Sequence, residues 1–148
     1  MKKKMSAFGT ALGTLVMAST VVLSGAGPAS AADGFSFDFP FIGLPPGQHV
    51  IINVYNTTWN DKAGSVSWQQ DPSGGFPGDA LTARDELRDG YGIEARLSTG
   101  RVASTRGHDS PYTVTKTGNL PEGNTYTMRV CVVKGDWEKC SQATQVKA

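Results

Sequence analysis

Apolar and polar positions alternate with period two through much of the chain. Val50, Ile52 and Val54 alternate with Ile51, Asn53 and Tyr55, and Val66 and Trp68 with Ser65 and Ser67. Tyr91, Ile93, Ala95 and Leu97 alternate with Gly92, Glu94 and Arg96, and Tyr126, Met128, Val130 and Val132 with Thr127, Arg129 and Cys131. Period two places one face of a strand in a core and the other in water. Turn-forming groups separate the runs at 71–75, Asp89-Gly90, Arg106-Gly107, Pro121-Glu122-Gly123 and Gly135-Asp136. Short strands spaced this way predict an all-β fold, a small antiparallel β-sandwich over residues 48–148.

Two stretches are less regular. Residues 79–89 fit a helix capped by Asp79 or a strand ending in a hairpin at Asp89-Gly90; the strand is preferred, because 91–97 needs a neighbour. Ahead of the sandwich, residues 32–47 form a Phe- and Pro-rich arm. Phe35, Phe37, Phe39 and Phe41 fall on one side of an extended chain, and Pro40 restricts it to an edge. The rings either cover the core or form an exposed aromatic surface for a partner.

The N-terminus changes the charge. Lys2, Lys3 and Lys4 precede an apolar stretch, and small residues follow at Ala29, Ser30 and Ala31. That order predicts a signal peptide over 1–31 and a secreted, extracellular product. The apolar stretch is short and carries Ser and Thr, so no stable membrane anchor is expected. The mature 117 residues hold 11 basic and 13 acidic side chains, a net of −2. Nucleic acid is therefore excluded as a partner. The Lys-rich leader suggests a bacterial origin, so the sequon at Asn56-Thr57-Thr58 is read as chance.

Cys131 and Cys140 are the two cysteines. In a secreted chain they predict a disulfide. With Gly135-Asp136 as a two-residue turn they face each other at a non-hydrogen-bonded site, with Cα atoms ~4.5 Å apart. A four-residue turn would widen the pair without preventing the bond. The parity of Cys131 with Arg129 and Thr127 puts the bond on the outer face of its sheet. A redox or metal pair is the alternative, and the spacing favours neither.

Candidate chemistry is sparse. His108, Asp109 and Ser110 are consecutive, so their side chains diverge, and they read as a turn before Pro111. His108 is still the best titrating group for a small hydrolase. Asp85, Glu86 and Asp89 could hold calcium or act as paired carboxylates, but interleaved Arg84 and Arg88 favour a salt-bridged surface. Trp59, Trp68, Trp137, Tyr55 and Tyr112 could stack on sugars or fill the core, with Trp137 expected to be the exposed one. Residues 101–111, with Arg101, Arg106, His108, Asp109 and Tyr112, form a candidate binding loop, and Arg101 and Arg106 could specify a protease. No cofactor and no metal site is expected.

Residues 119–133, through Asn-Leu-Pro-Glu-Gly-Asn-Thr-Tyr-Thr-Met-Arg-Val, resemble the approach to a late strand of fibronectin type III-like and immunoglobulin-like domains. That resemblance implies a tyrosine corner, with Tyr126 bonded to nearby backbone and Leu120 packed beside it. Residues 78–140 also resemble a group of small secreted actinobacterial proteins, through Gly78-Asp79-Ala80-Leu81, Asp89-Gly90-Tyr91-Gly92 and residues 105–112. This resemblance implies compartment and organisation, and no activity. The expectation is a secreted non-catalytic module that binds an extracellular or envelope partner. An inhibitor of an extracellular hydrolase acting through 101–111 is the alternative.

Overall fold

A computed structural model of the protein describes residues 34–43, 49–75 and 77–148. The expected leader, its expected cut after Ala31 and the expected Pro45-Pro46-Gly47 break lie outside them. The described residues form strands and no helix. One sheet contains β1 (Phe37–Asp38), β2 (Phe41–Gly43), β3 (His49–Asn56), β4 (Asp61–Gln69), β5 (Ala80–Asp85) and β8 (Tyr112–Lys116). The other contains β6 (Gly92–Leu97), β7 (Val102–Ser104), β9 (Thr125–Lys134), β10 (Trp137–Cys140) and β11 (Thr144–Lys147). All pairings are antiparallel: β1-β3-β4-β5-β8 with β2 also on β3, and β10-β9-β6-β7 with β11 also on β9. This is the small antiparallel β-sandwich that the alternation predicts.

The core lies between the sheets. Val50, Ile52, Val54, Val66, Trp68, Leu81 and Ala83 come from one, and Ile93, Ala95, Leu97, Met128, Val130 and Val132 from the other. Trp68 is fully buried, and its Nε1 donates to the Lys147 carbonyl at 2.7 Å. That bond satisfies the ring's one polar atom, which burial requires.

The strand reading of 79–89 holds over Ala80–Asp85, but no hairpin forms at Asp89-Gly90. β5 and β6 belong to different sheets, so residues 86–91 cross between them. A bulge causes the departure. The β3–β4 register slips between Val54↔Gly64 and Tyr55↔Lys62, leaving Ala63 unpaired. Its carbonyl accepts both Glu86 N at 2.9 Å and Leu87 N at 3.2 Å, which turns the chain off the sheet. Gly64 lets β5 lie close there, because a Cβ would meet the Arg84 carbonyl oxygen at 2.2 Å.

The leading arm is woven into the sandwich. Phe37 is buried, Phe35 and Phe39 pack against the core, and Phe41 is 54% exposed. β1 and β2 both pair with β3, and the break at Phe39-Pro40 separates them. The Lys139 ammonium donates to the Phe37 carbonyl at 2.7 Å, tying the arm to the second sheet.

The disulfide joins Cys131 and Cys140 across β9 and β10, with Cα atoms 4.0 Å apart. Gly135-Asp136 is the two-residue turn, and Gly135 takes the φ of 54° such turns need. The bond lies outside the core cluster, as parity predicts. That outer face is nevertheless dry: Cys131 is fully buried and Glu94, opposite it on β6, is 7% exposed.

Two aromatic expectations need correction. Trp137 is partly buried, with its ring against Tyr91 and Phe37 at centroid distances of 5.4 and 6.1 Å. Directly after the tight turn its side chain falls on the inner face. Trp59, at the tip of the β3–β4 hairpin and 48% exposed, is the open one. Tyr126 and Leu120 each pack against the core, but the Tyr126 hydroxyl makes no hydrogen bond among the described residues. The corner bond is therefore not formed, and the Leu120 amide donates to Asp79 Oδ2 at 2.6 Å instead.

Candidate functional site

Three connections meet at one end of the sandwich. They are the 86–91 crossover, the 105–111 turn between β7 and β8, and the tip of the β9–β10 hairpin. Together they enclose an open cleft of about 670 Å³. Gly90, Tyr91 and Gly92 are among the residues that line it, and the two glycines present only backbone there. A Cβ on Gly92 would touch the Arg106 backbone at 3.1 Å, so the 105–111 turn closes down on β6 only over a glycine. Thr105, fully buried, anchors that turn: its Oγ1 accepts from Ile93 N at 2.8 Å.

Arg88, Arg106 and Lys134 line this cleft, with His108, against one carboxylate, Asp109. Each cation is positioned by the fold. Arg88 Nε donates to the Ser110 carbonyl at 2.8 Å, which leaves its terminal nitrogens unassigned and no carboxylate within ion-pair distance among the described residues. Arg106 donates through Nε to Glu94 at 3.2 Å and through Nη1 to the Gly135 carbonyl at 2.6 Å, bridging two of the three connections. The Lys134 ammonium sits 4.7 Å from the centre of the Tyr91 ring, a cation–π contact. The His108 ring stacks on Tyr112, with centroids 3.9 Å apart and planes 7° from parallel.

Two carboxylates hold this end from beneath. Burial alone would raise Glu94, but its bonds from Arg96, Ser104 and Arg106 outweigh that and hold it below the usual carboxylate range. Asp85 is different. Burial pushes its carboxyl up to about 6, with Asp89 and Glu86 adding to the rise and Ser110 and the Leu87 amide opposing it. Its Oδ2 has no hydrogen-bond partner among the described residues.

The candidate loop at 101–111 is divided by β7. Arg106, His108 and Asp109 line the cleft, and Tyr112 backs His108. Arg101 lies at the far end of the sandwich, where it donates to the carbonyls of Asp79 and Gly118. A continuous inhibitor loop is thus not present. His108, Asp109 and Ser110 do turn, and no hydrogen bond joins His108 to either neighbour's side chain among the described residues. The acidic cluster also disperses. Glu86 pairs with Lys62 and Arg84, Asp89 accepts from Asn56, and Asp85 is buried rather than solvated. Asn56 itself is buried with its amide engaged.

Arg88, Lys134 and the glycine pair were not singled out in the sequence as site residues. Each stands beside a turn signal, which was the available clue. The chain matches no protein-family model, no curated protein and no solved structure.

Proposed function

We propose that the protein is a secreted, non-catalytic binding module that docks the acidic part of an extracellular partner in the cleft at the crossover end. The carrying observation is the guanidinium of Arg88, which lines the cleft, bonds to the Ser110 carbonyl and has no carboxylate within ion-pair distance among the described residues, beside Lys134 and the Glu94-paired Arg106. A concave surface of one sign focuses its field on an incoming opposite charge. Arg88 supplies guanidinium donors of the planar geometry that binds carboxylate and phosphate. The leader at 1–31 supports the extracellular setting, and the Cys131–Cys140 bond is compatible with it.

Inorganic phosphate and acetate are the probes for this reading. Titrated into labelled protein, either should shift the amides of Gly90, Gly107, His108 and Gly135 together, and the shifts should fade as salt rises. Arg88→Gln combined with Lys134→Gln should weaken the response at least tenfold while the circular dichroism stays unchanged. Shifts scattered over the surface, or an undiminished response in the double variant, would refute the proposal.

A further inference from the structure

A carboxyl that the docking of an acidic group does not use lies beneath the cleft. Asp85 ends β5 and is 2% exposed. Both walls of the cleft rest on it. Its Oδ1 accepts from Leu87 N of the 86–91 crossover at 3.3 Å, and the Ser110 hydroxyl of the 105–111 turn acts on the same carboxyl. Ser110 also lines the cleft, and its carbonyl holds Arg88 Nε at 2.8 Å. One residue thus separates the buried carboxyl from the guanidinium of the cleft. Asp85 Oδ2 has no partner, and no cation pairs with the carboxyl among the described residues. The surrounding groups do not supply one. Glu86 and Asp89 oppose its ionisation, and Lys62 and Arg84 pair with Glu86 instead. Beside it β4 presents Gly64 and β8 presents Tyr112, and β6, packed across the core, turns Ile93, Ala95 and Leu97 inward. His108 and Asp109 stand on the turn with Ser110. A desolvated carboxylate without a cation favours its neutral form.

Given the docking of an acidic group proposed above, on which this rests, we propose that an anion bound beside Arg88 is taken up together with a proton at Asp85 Oδ2, so that the cleft tightens as its surroundings acidify. The proton displaces no wall contact. Oδ1 keeps the Leu87 amide, and the Ser110 hydroxyl, able to donate or accept, receives the new O–H. What changes is the charge under the cleft, by one. A bound anion opposes ionisation of a carboxyl below it, so the occupied protein holds this proton more firmly than the empty one. Affinity therefore rises as pH falls from the midpoint of the occupied protein to that of the empty one, about 6. A midpoint raised by about half a pH unit corresponds to about threefold in affinity. His108 lines the same cleft and would give a dependence of the same sign, so the test has to remove it.

Sulfate is the probe, because its own charge stays constant over the range. It is titrated into labelled protein carrying His108→Gln at about pH 5 and about pH 8, and read on the amides of Gly90 and Gly135. Binding at least threefold tighter at the acid pH is expected. Adding Asp85→Asn should abolish the difference and leave the affinity near its acid value. A second measurement needs no substitution at Asp85: its carboxyl carbon, followed by nuclear magnetic resonance, should titrate about half a pH unit higher with sulfate saturating than without it. Cleft amides that move with equal affinity at both pH values overturn the coupling and leave the docking intact. So does a pH difference that survives Asp85→Asn, or a carboxyl midpoint that sulfate does not move. Sulfate that shifts no cleft amide at either pH refutes the docking itself, and the coupling with it.

Discussion

Asp85 is the residue whose environment departs furthest from its chemistry. Its carboxyl is buried below the cleft, with one oxygen unpartnered, and is raised to about 6. A raised carboxyl means that the folded state binds its proton more tightly than the unfolded chain does. Its contribution is present in full below the unfolded pKa of about 4 and is lost as pH rises through 6. The loss is about 3 kcal/mol at most, at roughly 1.4 kcal/mol per pKa unit. Asp85→Asn should therefore gain stability over the parent in urea unfolding at pH 8 and gain little at pH 4. An equal effect at both pH values would show that burial of the charge is not the cause. Tyr126→Phe gives the opposite lesson. With no hydrogen bond to remove, it should change the unfolding free energy by less than about 0.5 kcal/mol, where a corner bond would cost about 1 kcal/mol. The spacing of Leu120 and Tyr126 marked two residues that both pack against the core. The absence of a bond to the hydroxyl depends on where the loop around Asp79 passes, which no local spacing encodes.

Among the elements, the central strands were legible because each buries one face, and their period survives in the sequence. β3, β4 and β9 fall where alternation places them, and the Cys131–Cys140 hairpin follows from its turn. β7, β8 and β11 are short and lie at sheet edges, with too few apolar residues to leave a period. The 86–91 crossover was hidden for another reason: it is directed by the Ala63 carbonyl, a backbone group from a different strand. The same blindness applied to the cleft, whose Arg88 and Lys134 meet only through that crossover. The arm was read either as covering the core or as an exposed aromatic surface; its β1 and β2 complete the first sheet and Phe37 is buried. Phe37 meets Tyr91 edge-on at 5.1 Å and Trp137 in a tilted contact at 6.1 Å. Phe37→Ala should accordingly destabilise the whole sandwich by about 3–5 kcal/mol in denaturant unfolding. An arm that merely lay on the surface would give a small change.

The two ends of the sandwich differ in their charged side chains, with Arg88, Arg106 and Lys134 lining the cleft at one and Asp71, Asp79 and Glu122 the pocket at the other. β5 joins them, with Asp79 just before its first residue and Asp85 as its last, about 20 Å apart at strand rise. The pocket and the cleft therefore share a strand but no lining residue, and substitutions at the pocket should leave the cleft's response to phosphate unchanged. Finally, the contacts that close the core join chain regions far apart. Phe37 meets Lys139, a separation of 102, and Trp68 meets Lys147, a separation of 79. A ribosome releases the early strands long before their partners exist. Folding then has to wait for β9 to β11, and chains dominated by such distant pairings fold in milliseconds to seconds rather than microseconds. This topology keeps the newly made chain open until its last strand emerges, a conformation that can still be threaded.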